Sequence, residues 1–240
     1  MEIHIGMAKI NKYATSESGD TLEVVERPNG GVSVVLSDGQ TSGKGAKNVS
    51  TLVVRKVISL LAEGVRDGAA ARAASDTLYT ERAGKVTATL NILSVDLQTG
   101  TIVITRNNPA NLFIARGDQV ECLSTPSNSI GTSRNVRPSI TEFPLESGIT
   151  IVFYTDGIRD AGTRTGLPFD LCTTLQSMLE EENPSAQDMA DTILAQAIRL
   201  DNNRPNDDMS VVVLRSVSTE TDQIRRMTIR LPVPPIQTPR

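Results

Sequence analysis

Residues 85–123 read KVTATLNILSVDLQTGTIVITRNNPANLFIARGDQVECL. Apolar and polar side chains alternate through four short runs, and turn residues at 98–100 (QTG) and 107–109 (NNP) separate the first three runs. Such alternation is typical of strands, and turns this short join strands that lie antiparallel to each other. This stretch therefore predicts a series of antiparallel neighbours in the middle of the chain.

Further strands and two pairs of helices surround this central stretch. Three alternating runs occupy the first forty residues, and a helix over about 45–63 and an alanine-rich helix follow them. After residue 123 come two strands, then helices over about 168–182 and 185–201, then a strand that begins near 208. Strands and helices do not alternate one by one, which disfavours a doubly wound parallel sheet. The pattern predicts an α+β fold, a four-layer αββα sandwich of two antiparallel sheets flanked by helix pairs.

The helix over 45–63 carries two apolar stripes. Val49 and Val53 belong to the first, and Val54 and Ile58 belong to the second. A helix with two apolar sides is either buried on both or offers one of them to a partner protein. The sequence leaves both interpretations open.

We expect a single domain over residues 1–217. A C-terminal extension, residues 218–240, follows it. Its first part is polar, residues 223–233 (QIRRMTIRLPV) alternate enough to predict one extra strand, and the end is rich in proline.

The composition narrows the chemistry. The chain has 240 residues and a net charge of −4, which is not typical of a nucleic-acid-binding protein, and no apolar run is long enough to span a membrane. The two cysteines, Cys122 and Cys172, are far apart, which is typical of a reduced, cytoplasmic protein. The single histidine, His4, lies in the first strand, which disfavours a Ser-His-Asp triad, a Cys-His pair and a multi-histidine zinc site.

Four strand ends carry aspartate. They are Asp20, Asp38, Asp156 and the pair at 207–208. Each costs free energy to desolvate unless a positive charge lies nearby, so these carboxylates either point into water as parts of ordinary turns or surround a cation. If the strand ends meet at one edge of the two sheets, they form a site for Mn²⁺ or Mg²⁺, which prefer oxygen ligands. Two such ions would activate a water for attack on a phosphate.

The motifs SGD (18–20), LSDGQTSGKGA (36–46), YTDGIRDA (154–161) and NDDMSVVVLR (206–215) resemble the metal-dependent type 2C protein phosphatases. The likeness is greatest to their compact bacterial branch, which includes sporulation and stressosome serine phosphatases. It runs from Ser18 to Arg215. The resemblance implies a sandwich of two antiparallel sheets flanked by helix pairs, in agreement with the strand and helix pattern.

The resemblance also implies roles for individual residues. Asp38 would bridge two Mn²⁺ or Mg²⁺ ions, and Asp156 and Asp207 would complete the first of them. Gly39 would give its carbonyl oxygen to the second ion, with Asp20 nearby and partly acting through water. Asp38 and Asp156 would be the catalytic carboxylates, because they hold the ions that activate the water.

Other positions depart from the family pattern or have secondary roles. Asp208 stands where the family often has Asn, so we expect it to hold the metal ligands in place and not to bind an ion itself. Gln40 stands where many eukaryotic members have a His that is thought to act as a general acid. Gln40-Thr41 also replaces the Met-Gly that usually follows the Asp-Gly motif in the bacterial branch. No arginine clearly matches the phosphate-binding arginine of larger members. Lys44 is a candidate phosphate contact, although the sequence favours the simpler interpretation of a solvated lysine at the start of a helix.

Taken together, these features predict a metal-dependent protein serine/threonine phosphatase. The resemblance implies a phosphorylated bacterial regulatory protein as the substrate, such as a stressosome or anti-sigma-antagonist component. Neither nucleic acid nor membrane is an expected partner. The alternative is a catalytically weak module with the phosphatase fold that regulates by binding. A nucleotide-binding loop at 39–45 (GQTSGKG) is disfavoured because its glycines are too close together and no Ser or Thr follows the lysine.

Overall fold

The computed structural model describes residues 1–40, 43–181, 184–220 and 222–232, with the side chain of residue 181 left out. The strands are β1 (Glu2–Ile10), β2 (Asp20–Glu26), β3 (Val32–Asp38), β4 (Leu90–Asp96), β5 (Thr101–Asn107), β6 (Leu112–Arg116), β7 (Gln119–Leu123), β8 (Ser139–Pro144), β9 (Ile149–Tyr154) and β10 (Met209–Val217). The helices are α1 (Gly43–Ala62), α2 (Asp67–Arg82), α3 (Asp156–Arg159), α4 (Leu171–Glu181) and α5 (Ala186–Leu200), with a 3₁₀ turn at Thr163–Thr165.

These strands form two five-stranded sheets in which every neighbouring pair is antiparallel. The strand order is β1-β10-β9-β6-β7 in the first sheet and β2-β3-β4-β5-β8 in the second. Apolar side chains of α1 and α2 pack against the second sheet, and those of α4 and α5 pack against the first. A third buried cluster fills the space between the sheets. The predicted αββα sandwich is confirmed.

Both apolar stripes of α1 belong to the core. Val53 and Val54 are fully buried, and Ile58 is half-buried against the same cluster. Among the described residues, this helix is therefore buried on both sides, which decides between the two interpretations of its sequence.

Two predicted elements differ from the structure. The fourth helix begins at Leu171 and not near 168, because Asp170 accepts hydrogen bonds from the backbone N–H and the hydroxyl of Thr173 and so fixes the first turn. The extra strand is wrong for residues 222–232, which form no helix or strand because no sheet edge pairs with them. Residue 182, at the predicted end of that helix, and the proline-rich residues 233–240 lie outside the described ranges.

The sandwich has two distinct ends. At one end β2 begins, β3 ends and β10 begins, and we call it the site end. At the opposite end, the far end, β2 finishes at Glu26 and β10 finishes at Val217, beside the start of β1. His4 lies on β1 toward the far end and contacts the carboxylate of Glu2. Within the described residues, no helix combines the length and apolar character needed to cross a bilayer.

Candidate metal centre

The four predicted acidic positions converge at the site end. Asp20 is the first residue of β2 and lies directly opposite Asp38, the last residue of β3, in the antiparallel register. Asp156 follows β9 and opens the single turn of α3, and the 207–208 pair precedes β10. Since β9 and β10 are neighbours, the second sheet supplies two acidic positions and the first sheet supplies the others.

Asp20 is the most deeply placed of these carboxylates. It is fully buried, and its Oδ2 accepts hydrogen bonds from the hydroxyls of Thr155 (3.0 Å) and Ser210 (2.6 Å). Its Oδ1 has no hydrogen-bond partner among the described residues. Burial raises the pKa of Asp20 to about 7, although the two hydroxyls partly oppose this shift. Asp20 therefore keeps one buried oxygen available for a ligand.

Asp38 has the most strongly perturbed carboxyl group of the site. Burial is the main cause that raises its pKa to about 9, and the negative charges of Asp20, Asp156 and the 207–208 pair add to it. The pKa of Asp156 is also raised, by burial first and then by Asp207. Several carboxylates that raise one another's pKa form a region of negative potential suited to a cation.

Asp207 and Asp208 have different surroundings. Asp208 is buried, and its oxygens accept hydrogen bonds from the backbone N–H groups of Lys12 (2.9 Å) and Gly19 (2.7 Å). Asp207 is half-buried, and its Oδ1 accepts from the N–H of Asp208 (2.9 Å). Asp208 therefore fixes the loop that leads into β2, whereas Asp207 acts electrostatically on Asp156.

The glycines that follow Asp38 and Asp156 allow close backbone contacts. A Cβ atom on Gly39 would lie 2.2 Å from the carbonyl oxygen of Ala46 in α1. A Cβ atom on Gly157 would lie 2.2 Å from the carbonyl oxygen of Asp208. Both distances are far below van der Waals contact, so glycine is needed to bring the two Asp-Gly turns against the rest of the site.

Two other lysines, Lys9 and Lys47, lie closer to the acidic cluster than Lys44 does. Lys44 is exposed on the first turn of α1, and no hydrogen bond or ion pair of the described residues joins it to the acidic cluster. Instead, Lys9 and Lys47 each donate a hydrogen bond of 3.0 Å to the carbonyl oxygen of Asp20. Burial and the neighbouring charge of Lys47 lower the pKa of Lys9. Sequence reasoning missed both lysines, because neither lies in an acidic motif.

The side chain of Gln40 is hydrogen-bonded to the segment that precedes β4 in the same chain. Its Oε1 accepts hydrogen bonds from the backbone N–H of Thr87 (2.8 Å) and from the hydroxyl of Thr87 (3.1 Å). The amide therefore helps to hold the loop after β3. Thr41, the second departure from the family motif, lies outside the described residues.

The site offers carboxylate and carbonyl oxygens, which are the ligands that hard divalent cations such as Mn²⁺ and Mg²⁺ prefer. The Oδ1 of Asp20 is buried without a hydrogen-bond partner among the described residues, and Asp38, whose pKa is raised, forms no ion pair with a described residue, so both carboxylates have oxygens left for a cation. As placed, no three Asp, Glu, His or Cys side chains of the described ranges are close enough to hold one ion between them. A cation that binds here would have to draw these carboxylates closer together.

A sequence model described as "Stage II sporulation protein E (SpoIIE)" matches residues 28–217. Stage II sporulation protein E of Bacillus subtilis (strain 168) is 24% identical over 213 residues, which is 89% of this chain and 26% of that protein. The chain thus spans about a quarter of the length of this curated relative.

Solved structures share the fold. The PP2C phosphatase domain of Bacillus subtilis SpoIIE, solved with a fragment of its regulatory domain, gives a TM-score of 0.78 at 23% identity over 91% of this chain and 64% of that one. The RsbU and RsbW domains of a Mycobacterium tuberculosis protein give 0.73 at 18% identity over 90% of this chain and 62% of that one. The catalytic domain of the serine/threonine phosphatase PstP, in complex with two manganese ions, gives 0.69 at 15% identity over 90% and 99%.

Proposed function

The chain belongs to the Stage II sporulation protein E (SpoIIE) family, and from this premise we propose that it is a metal-dependent protein serine/threonine phosphatase. The observation that carries the proposal is the convergence of carboxylates from four separate strand ends, with Asp38 at their centre and its pKa raised to about 9. Buried carboxylates without a positive partner are costly, and a pair of divalent cations removes that cost.

Asp38, Asp156 and Asp207 are the side chains that would hold Mn²⁺ or Mg²⁺, with the carbonyl oxygen of Gly39 as a further ligand. When bound, two such ions would lower the pKa of a water to make it a nucleophile and would neutralise charge on the phosphate. Support comes from PstP, which has been solved with two manganese ions.

The remaining polar residues position this cluster. Thr155 and Ser210 orient one oxygen of Asp20 and leave the other free to act, directly or through water. Asp208 holds the loop before β2 against the site through Lys12 and Gly19. Such outer contacts commonly set the affinity of a site for its metal.

We propose a phosphoserine or phosphothreonine of a bacterial regulatory protein as the substrate. Two similarities support this class: the SpoIIE relatives and the protein that contains RsbU and RsbW domains. A stressosome or anti-sigma-antagonist component remains the kind of phosphoprotein that the proposal favours. The proposed location is the cytoplasm, as the two separated cysteines predict.

Metal removal is the decisive test. Hydrolysis of an aryl phosphate and of phosphoserine and phosphothreonine peptides is measured after treatment with a chelator and after addition of Mn²⁺ or Mg²⁺. We expect chelation to abolish turnover and either ion to restore it, because the described site holds no histidine or cysteine that could replace the activated water. Full activity of the stripped protein in excess chelator would contradict the mechanism. If the protein binds metal but hydrolyses neither the aryl phosphate nor either peptide, the result would favour the alternative, a catalytically weak module that regulates by binding.

A further inference from the structure

Two loops lie side by side at the site end, and together we call them the rim. The first loop, residues 160–170, follows the turn of α3 that begins at Asp156, and the second loop, residues 201–206, leads into Asp207. Each loop of the rim is therefore joined directly to a carboxylate that we propose as a metal ligand. A protein substrate whose phosphate reaches the metal ions would lie against this rim.

A buried carboxylate, that of Asp201, holds the two loops of the rim together. Its Oδ1 accepts a hydrogen bond from the backbone N–H of Gly162, and its Oδ2 accepts one from the backbone N–H of Asn206, both at 2.9 Å. The hydroxyl of Thr165 also donates to the carbonyl oxygen of Leu200 at the end of α5 (3.0 Å). The backbone of the rim is therefore fixed by hydrogen bonds between its two loops.

Each loop of the rim carries one exposed arginine with a neutral partner. Arg164 donates a hydrogen bond of 2.9 Å to the side-chain oxygen of Asn206, the residue before Asp207. The guanidinium of Arg204 lies 5.3 Å from the centroid of the Tyr13 ring. Neither arginine forms an ion pair with a described residue. An amide and an aromatic ring thus orient the two guanidinium groups and leave their positive charges available for an anion.

The acidic side chains of the same region do not neutralise these two arginines. Asp160 accepts two hydrogen bonds from the guanidinium of Arg159 (2.7 and 2.6 Å), so these two charges cancel each other. Asp170 accepts from the backbone N–H and the hydroxyl of Thr173 at the start of α4. Glu17, on the loop after β1, forms no ion pair with a described residue. The rim therefore keeps two unpaired positive charges next to the acidic metal centre.

We propose that Arg164 and Arg204 bind acidic side chains that flank the phosphorylated residue of a protein substrate. They act within the proposed phosphatase function, on which this inference rests. Arg164 contacts the residue that precedes Asp207, so the anion that it binds lies beside the metal ligands and not among them. A guanidinium presents several N–H donors in one plane, which suits the carboxylates of aspartate and glutamate. The two positive charges also offset the repulsion between an acidic substrate and the carboxylates of the site.

Two phosphoserine peptides that differ only in their flanks test this binding. One has aspartate at the positions next to the phosphoserine, and the other has asparagine there. The measured quantity is the ratio of kcat/KM for the acidic peptide to that for the neutral peptide in Mn²⁺, together with the ratio of their affinities from fluorescence anisotropy in chelator. We expect the wild type to prefer the acidic peptide about tenfold. Arg164→Gln and Arg204→Gln should each lower this preference about threefold and should together remove it, as expected for exposed charge pairs.

Arg164→Lys should keep most of the preference because it keeps the charge, and Arg55→Gln is the matched control at an exposed position of α1. A wild type without preference in both measurements overturns the proposal, and so does a preference that persists in the double variant. An equal loss for both peptides and for an aryl phosphate also overturns it, because the arginines would then act on the phosphoryl group itself. If the wild type hydrolyses none of these substrates, the proposed phosphatase function fails, and the ratio of affinities alone decides whether the rim binds acidic flanks.

Discussion

The two ends of the sandwich differ in what surrounds a buried carboxylate. At the far end it is a cation, and at the site end it is other carboxylates. At the far end, Asp67 begins α2 and lies 2.8 Å from the guanidinium of Arg27, with both side chains less than 10% exposed. The hydroxyl of Ser94 donates to the other oxygen of Asp67, and Arg27 also donates to the carbonyl of Val65 (3.1 Å). At the site end, Asp38 has four acidic neighbours and forms no ion pair with a described residue.

The difference separates a structural carboxylate from the carboxylates that we propose as metal ligands. Asp67 is buried together with its cation, and its hydrogen bonds are satisfied by the chain itself. Asp38 and Asp20 are buried with other acids, and their surroundings favour the neutral, protonated form. A protein gains no stability from such an arrangement, which supports the proposed role of these carboxylates in metal binding.

The largest expected effect is on Asp38. Asp38→Asn removes the charge at the centre of the cluster, so it should weaken both proposed ion positions and lower phosphatase turnover by roughly 10³-fold or more. Asp156→Asn should weaken one position only and leave more activity. Turnover of an aryl phosphate across a Mn²⁺ titration measures both. Near wild-type turnover of Asp38→Asn at saturating Mn²⁺ would remove the bridging role.

Arg27 provides the matching test at the far end. Arg27→Ala leaves the buried charge of Asp67 unpaired, so it should lower the free energy of unfolding by about 3–5 kcal/mol, as broken buried ion pairs generally do. Because the pair lies opposite the site, turnover of the folded fraction should not change. Denaturant unfolding measures the loss, with Arg55→Ala on the exposed face of α1 as the control. A loss of metal affinity in Arg27→Ala would show that the two ends are coupled.

The 207–208 pair gives a smaller and more graded contrast. Asp207→Asn removes a proposed ligand and should be nearly inactive. Asp208→Asn should be impaired about 10–100-fold, because the asparagine keeps one acceptor oxygen and its NH₂ group cannot accept the second of the backbone hydrogen bonds from Lys12 and Gly19. Metal titrations of both variants measure the difference. The opposite ranking would move the ligand to Asp208, and two fully active variants would return the pair to an ordinary turn.

Local sequence patterns predicted the fold and the strand ends that carry aspartate. Strand alternation and short turns are properties of neighbouring residues, and each acidic position closes or opens a strand in its own motif. Contacts between distant residues were not predictable in this way: Ser210, which orients Asp20, is 190 residues away from it. The wrong extra strand has the same origin, because residues 223–232 alternate like a strand and no sheet edge pairs with them.

The smallest expected effect is on the stability of the metal-free protein. In the unfolded chain, Asp20 and Asp38 titrate near their usual 3.8, whereas in the folded protein their pKa values are about 7 and about 9. Between these limits the folded state binds more protons than the unfolded state. The contribution of these two carboxyl groups to stability is therefore greatest at and below about pH 4, falls through both groups as the pH rises toward 7, and falls further toward 9 through Asp38 alone.

Thermal melting in excess chelator at pH 5, 7 and 9 checks this order. We expect the melting temperature to fall at each step. Asp38→Asn should abolish the fall between pH 7 and 9 and should leave below pH 7 only the smaller fall that comes from Asp20. Added Mn²⁺ should raise the melting temperature of the wild type most at high pH, because the ionised carboxylates are the ligands. The Arg27–Asp67 pair at the far end is the internal reference. Arg27→Ala should lower the melting temperature by a similar amount at all three pH values. A melting temperature that rises with pH in chelator would mean that the site-end carboxylates are already ionised without a metal.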